Sequence, residues 1–529
     1  MKIRTFLTWT LLCLFLNSCS RQSLVRMTVK TPKVDYKKID GFKSFSDFHK
    51  DAIYTVAIIK ETYPRLYEKI PDFDEQCSQF IQKSSQVTTE KNFDIILKKF
   101  IAILKDGHSD YSIDYKKYDK TKYGIFLFKE KESWVIGNID KEIDSTVIGK
   151  KILSINNIPI NEIEKKIIAF ESGENEYWKY LQFLSNFYYP SYWEAIGVII
   201  PDNKKLNFIV ENKEGVSKFT LQDKEKIIGY NVKTQKPKFR FTYKQNNGFY
   251  DTISKSQNFA YLQMNKSLDY VSVKSEIGNY TNFITKPIAL RLFISKDVRN
   301  ANFGKFLQSF FNKIEEQKIE NVIIDLSYNT GGDERLGKQL IWYLTENEPI
   351  GFKEYINNSE YFKTQVKEDY EKYNAVYKSK YFTDLPKGEV NITEKLFNEP
   401  YFENITNENS TFFLDKTIPK FKGKVYLIIG PQTFSAGQVL ATTIADNKLA
   451  TVIGIPLGNK PTTQTGGSAF KLPNTKKIIS ISYVYMERPN RSKNDEKSLF
   501  PDIEIYNTFQ DLISGNNSVM EYILTETKK

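Results

Sequence analysis

Ser435 follows an apolar run, Val425-Tyr426-Leu427-Ile428-Ile429-Gly430, and a short turn, Pro431-Gln432-Thr433-Phe434. It opens a segment that carries Val439, Leu440 and Ile444 on one face. The pattern predicts a buried strand, a tight turn and a helix. A serine in that turn has its hydroxyl at a helix N-terminus, where free N–H groups favour developing negative charge. An acyl-transfer nucleophile would sit there. Serine is also a preferred N-cap, and the local sequence alone favours that simpler role. Three other groups bear on the choice. A second buried run, Ala450 to Gly454, leads into a Gly/Pro loop that places Lys460 25 residues after Ser435 and Gln464 four further on. Upstream, the run Asn321 to Leu326 ends in Asn329-Thr330-Gly331-Gly332, and a glycine pair lets backbone N–H groups approach a substrate closely. His108 follows a helical stripe, in the loop Lys105-Asp106-Gly107-His108-Ser109. Taken singly, Lys460 reads as a surface lysine and His108 as a structural histidine.

These residues need elements to hold them. Apolar residues at three- and four-residue steps predict helices between Phe45 and Leu104, interrupted at Pro64. Short strands follow from Tyr123 to about Leu221, with a helical segment from Glu174 to Phe187. A polar stretch to about residue 258 reads as a connector. From Phe259 onward strands alternate with helices, including an amphipathic one through Phe303, Phe306, Leu307, Phe310, Phe311 and Ile314. That rhythm predicts a parallel sheet covered by helices. Residues 347–421, rich in Tyr, Lys, Glu and Asn, break the rhythm and read as an insertion.

At 529 residues the chain exceeds one ordinary core, and an aromatic content of 14% provides ample apolar surface for several. The net charge of +12 is spread along the chain, with no long basic stretch interleaved with aromatics, so no nucleic-acid partner is expected. Lys2 and Arg4 precede an apolar run from Thr5 to Leu16 that ends in Asn17-Ser18-Cys19. The run is too short to span a bilayer and reads as an export signal. Only Cys77 would remain beyond Cys19, too few thiols for an internal disulfide or a cysteine-rich metal site. With two histidines, His49 and His108, a histidine-based zinc site is not expected either.

Several stretches resemble known families. Leu16-Asn17-Ser18-Cys19 is similar to the bacterial lipoprotein signal, which implies a lipid on Cys19 and anchoring in the cell envelope. Ile148-Gly149-Lys150-Lys151-Ile152-Leu153-Ser154-Ile155-Asn156-Asn157 resembles a stretch of PDZ domains, with Asn157 where glycine is typical. The ordered set Val322 to Gly332, Thr433 to Gln438, Val452-Ile453-Gly454 with Lys460 and Gln464, and Phe500-Pro501-Asp502-Ile503 resembles the tail-specific, or C-terminal processing, serine peptidases. That resemblance implies an α/β multidomain fold: an N-terminal helical domain (46–118), a PDZ-like β-rich domain (119–222), a connector (223–258) and a ClpP/crotonase-like catalytic domain (259–529). A lipoprotein signal (1–19) and a tether (20–45) would precede them.

It also implies Ser435 as nucleophile and Gly331, Gly332 and Ala436 as oxyanion-hole donors. The base is Lys460 oriented by Gln464 in the Ser/Lys branch, which is preferred here. In the tricorn-core-like branch it is a histidine at the position of His108. No cofactor or metal is implied. The implied substrates are unfolded or C-terminal polypeptides. A non-catalytic peptide-binding lipoprotein on the same scaffold is the alternative.

Overall fold

The computed structural model describes residues 42–528, apart from 201–202, 214, 232–234, 240–241, 243–247, 275–300, 398–399, 407–411, 413 and 415–416. The segment expected to be a lipoprotein signal, with Cys19, and the expected tether up to residue 41 lie outside the described residues. Among the described residues no helix is long and apolar enough to cross a membrane.

Six strands form the central sheet in the order Ile503–Glu504, Thr451–Gly454, Lys424–Ile429, Asn321–Asp325, Phe259–Met264, Phe249–Ser254. The first five run parallel and the last antiparallel. Alternate residues of each strand face opposite layers. Val322, Ile324, Leu427 and Ile429 pack with helices Phe303–Gln317, Glu334–Trp342 and Ala436–Asp446. Ile323, Tyr426, Ile428 and Ile453 pack with the C-terminal helix Ser518–Glu526. Cover on both faces is why these strands read as continuous apolar runs.

The sequence pattern assigns Phe249–Ser254 to the connector, but it is a strand of this sheet, paired residue for residue with Phe259–Met264. It is an edge strand, every residue only half-buried, and its mixture of aromatic and polar residues hides the strand period. Asp223 and Lys224 likewise pair with Lys122 and Tyr123 rather than belonging to a free linker.

In the N-terminal half, helices Asp47–Thr62, Phe73–Ser85 and Glu90–Ala102 adjoin an antiparallel sheet. Its main strands follow the order Ile125–Lys129, Trp134–Ile139, Lys151–Ile155, Leu206–Asn212, Gly215–Leu221. Asn156 and Asn157 both adopt left-handed backbone, φ 50° and 62°, in the turn where the PDZ-like stretch has lost its glycine. The sequence separates helical and PDZ-like domains at residue 118, yet both contribute to one continuous core. Phe470, Leu472, Ile479 and Ile481, from a hairpin late in the chain, complete that core. The insertion is tied in as well. Its strand Lys353–Asn358 pairs with Val484–Glu487, which pairs in turn with Thr463–Thr465, the strand carrying Gln464.

The late hairpin is held by a buried carboxylate. Asp51 accepts from Asn474 N (3.1 Å) and Nδ2 (2.7 Å) and from Thr475 N (2.7 Å) and Oγ1 (2.6 Å). Asp51→Ala leaves these donors without their acceptor and should destabilise the protein by about 2–4 kcal/mol. A lowered urea midpoint checks this, and an unchanged midpoint would show that the turn holds without the carboxylate.

Candidate active site

Ser435 lies between strand Lys424–Ile429 and helix Ala436–Asp446 at φ 54°, ψ −125°. An ordinary N-cap residue has extended backbone and a side chain that accepts from the helix. Ser435 has neither: its backbone is left-handed and its side chain makes no cap hydrogen bond. A non-glycine residue so held stores about 1–3 kcal/mol of strain, and this strand–turn–helix geometry is that of a nucleophile elbow. Among the described residues the Ser435 hydroxyl has no hydrogen-bond partner.

Local sequence explains the turn. Thr433 Oγ1 donates to Leu326 O (2.7 Å) and accepts from Gly430 N (3.1 Å), folding the strand end back on itself. Asn329, fully buried, joins the elbow to the glycine loop. Its carbonyl accepts from Phe434 N (2.8 Å), and its Oδ1 accepts from Gly331 N (2.9 Å). A Cβ on Gly437 would lie 2.7 Å from Asn329 O, and one on Gly331 would lie 2.6 Å from Ser435 Cβ, so both close approaches require glycine.

The structure brings the other sequence-derived residues to this elbow with different partners from those expected. His108 stacks on Phe434, the residue before the serine, with ring centroids 4.5 Å apart. Its Nε2 is 3.4 Å from Thr465 Oγ1. Its Nδ1 is buried, without a hydrogen-bond partner, 3.9 Å from Asp106 Oδ1. Burial lowers the His108 pKa against the opposing charge of Asp106, which favours the neutral ring. Lys460 is half-buried, and its pKa too is lowered by burial, opposed by Asp495 and Glu174. Gln464, expected to orient Lys460, instead gives its Oε1 to the amine of Lys69 (2.6 Å). Lys69 also donates to Tyr63 Oη (3.0 Å) and Lys105 O (3.2 Å). Neither His108 nor Lys460 hydrogen-bonds the serine hydroxyl.

Three charged groups at the site have no role in the reading from sequence: Lys69, Asp106 and Glu174. Asp106 is fully buried and accepts from His108 N (2.9 Å), Ser109 Oγ (2.6 Å) and Ser482 Oγ (2.6 Å). Glu174 accepts from Asn459 Nδ2 (2.6 Å), Thr463 Oγ1 (2.7 Å) and Gly107 N (3.2 Å). The only sequence signal for these partners is the Asp106-Gly107-His108 loop; Lys69 and Glu174 come from distant segments with no motif around them. Donor atoms of Asp106, His108 and Glu174 lie within 4.8 Å of one another, close enough to share a cation. Both carboxylates are already taken up by protein donors, and Lys69 bears on both electrostatically, so the cluster suits hydrogen bonding better than a metal.

This elbow on a mainly parallel, helix-covered sheet, with a glycine loop against it, defines a serine peptidase scaffold. Residues 288–505 match the model of Peptidase family S41, so this part of the chain is similar to the peptidases of that family. Among solved structures, mature CPAF is similar at 12% identity, covering 91% of this chain and 96% of that one, with a TM-score of 0.59. Mature CPAF complexed with lactacystin is similar at 13% identity, covering 91% and 97%, with a TM-score of 0.58. At these identities the likeness is one of fold. No curated protein sequence matches the chain.

Burial, and then Asp106, push the Glu174 pKa up to about 7, against the pull of Lys69. An unfolded chain holds this group near 4.5. Between those values the folded protein keeps a proton that the unfolded chain has released, so the stability owed to this group falls as pH rises through the window. From pH 5 to pH 7 the urea midpoint of the wild type should therefore drop relative to that of Glu174→Gln. Parallel pH profiles for the two proteins would show that Glu174 titrates alike folded and unfolded.

Proposed function

We propose that the chain is an exported, lipid-anchored serine endopeptidase that cleaves unfolded or C-terminal polypeptides through a Ser435 acyl-enzyme. The observation that carries this reading is the left-handed Ser435, held at a helix N-terminus with its hydroxyl free of any cap bond. The hydroxyl attacks a peptide carbonyl, and the oxyanion faces backbone N–H groups at the helix start and the glycine loop. Gly331 N is engaged by Asn329, so Gly332 and Ala436 are the donors favoured here.

His108 is the favoured base. Its neutral form, favoured by burial, suits proton acceptance near pH 7, and Asp106 Oδ1, 3.9 Å from Nδ1, is near enough to accept a hydrogen bond from Nδ1–H in a Ser-His-Asp arrangement once the ring shifts. The proton passes from Ser435 Oγ to Nε2, then to the leaving amine. Water repeats the transfer to release the acyl group. The hydrogen bond between Oγ and Nε2 would form with substrate bound, since catalytic hydrogen bonds are often long in the free enzyme. Lys460 is the second reading, supported by its lowered pKa and by the family spacing. Its weakness is that the Gln464 oxygen is occupied by Lys69.

The PDZ-like segment would present a substrate tail to the cleft, and Cys19 would carry the lipid that holds the protein at the membrane surface. The proposed partners include no nucleic acid.

A fluorophosphonate probe should label the wild type and not Ser435→Ala; an unlabelled wild type would contradict the hydrolase reading. His108→Ala should lower peptide turnover by roughly 100-fold or more, and Lys460→Ala by much less. The reverse order would assign the base to Lys460. Radiolabelled palmitate should enter the wild type and not Cys19→Ala; equal incorporation would place the lipid elsewhere.

A further inference from the structure

Ser435 keeps a costly backbone conformation, and part of what holds it lies outside the catalytic domain. Its N–H donates to Asn459 Oδ1 (3.3 Å). Asn459 is fully buried, and its Nδ2 donates to Glu174 Oε1 (2.6 Å). An amide side chain has one accepting and one donating end. An ionised carboxylate only accepts, and a protonated one keeps an accepting carbonyl oxygen. Glu174 therefore fixes which way Asn459 points. With the donating end committed to Glu174, the accepting end must face Ser435 N–H. A flipped Asn459 would set donor against donor at the elbow and, with Glu174 ionised, acceptor against acceptor at its carboxylate.

The surrounding contacts serve the same point. Glu174 Oε2 accepts from Gly107 N (3.2 Å), one residue before His108. Asn175 Nδ2 donates to Leu457 O (2.9 Å) and Lys497 O (3.0 Å), fixing the corner to the loop that leads to Asn459. Trp178 stacks on Phe434 with centroids 4.0 Å apart, so residues 174–178 cover the residue before the serine. A Cβ on Gly458 would lie 2.2 Å from Pro431 O and 3.1 Å from the Trp178 ring, which shows how closely these segments approach.

We propose that Glu174, supplied by the PDZ-like part of the chain, is a positioning residue for the nucleophile, acting on Ser435 through Asn459. It touches no reacting atom. It holds the serine backbone in its left-handed state and ties that state to the loop bearing His108. The inference rests on the peptidase reading above.

A reciprocal exchange tests it. Asn459→Asp keeps the size of the side chain and an acceptor for Ser435 N–H, but sets a carboxylate against Glu174. The rate of fluorophosphonate labelling at Ser435, and kcat on fluorescein-labelled unfolded casein, should fall roughly ten-fold or more, with KM changed less than kcat. Adding Glu174→Gln restores a donor opposite the introduced carboxylate, and the Thr463 hydroxyl can turn to suit it. The double variant should regain most of the labelling rate and turnover.

A double variant as slow as Asn459→Asp, or an Asn459→Asp protein at the wild-type rate, would overturn the proposal. Recovery in the double variant also excludes general unfolding as the cause of the loss. If the wild type is neither labelled nor able to cleave casein, the peptidase reading fails, and this inference with it. An active wild type whose exchange variants show no rescue refutes the inference alone.

Discussion

The architecture depends on one unfavourable backbone conformation, the left-handed φ of Ser435. An L-residue with a side chain adopts that region only where its surroundings leave no alternative. Here the surroundings come from segments far apart in the chain. Thr433 and Asn329 fix the turn from the loops at the strand ends, Asn459 holds the serine N–H, and Phe434 stacks with both His108 and Trp178. The glycines at 331 and 437 are the spaces that these contacts require. The strain at the serine and the close packing around it are two aspects of one arrangement.

That arrangement sets the electrostatics. Bringing Lys69, Asp106, His108, Glu174 and Lys460 to one point places several titratable groups where water is scarce. Burial disfavours every charged form, while neighbours of opposite sign restore part of the loss. The outcome depends on each group's partners. Asp106 accepts from three protein donors, and Glu174, beside it, is pushed up to about 7. Burial lowers the pKa values of His108 and both lysines. On the proposed reading, a histidine whose neutral form is favoured by burial is a suitable proton acceptor.

Sequence conveys the local part of this structure well. The strands before Ser435 and Asn329 announce themselves as apolar runs, the turns by glycine and proline, and the elbow helix by its apolar face. Each is a pattern within a dozen residues. Partner choice across the fold is not legible. Gln464 has the spacing to serve Lys460 but serves Lys69, a residue 395 positions away. Glu174 reaches Asn459 across 285 positions. No periodicity encodes such pairings, because they arise only when separate segments pack. The division between helical and PDZ-like parts misleads for a related reason: a change in secondary structure at residue 118 does not mark a break in the core. Phe249–Ser254 escapes notice because a half-exposed edge strand lacks the apolar run that reveals its neighbours.

The Asp51 clamp has a consequence for how the molecule is made. Its partners, Asn474 and Thr475, lie 423 and 424 positions further along. A chain growing from the ribosome exposes its first helices long before the hairpin that completes their core exists. The elbow likewise waits for Asn459. The surroundings of the elbow are therefore complete only when early and late segments of the polypeptide meet. Such late closure is set by chain order alone.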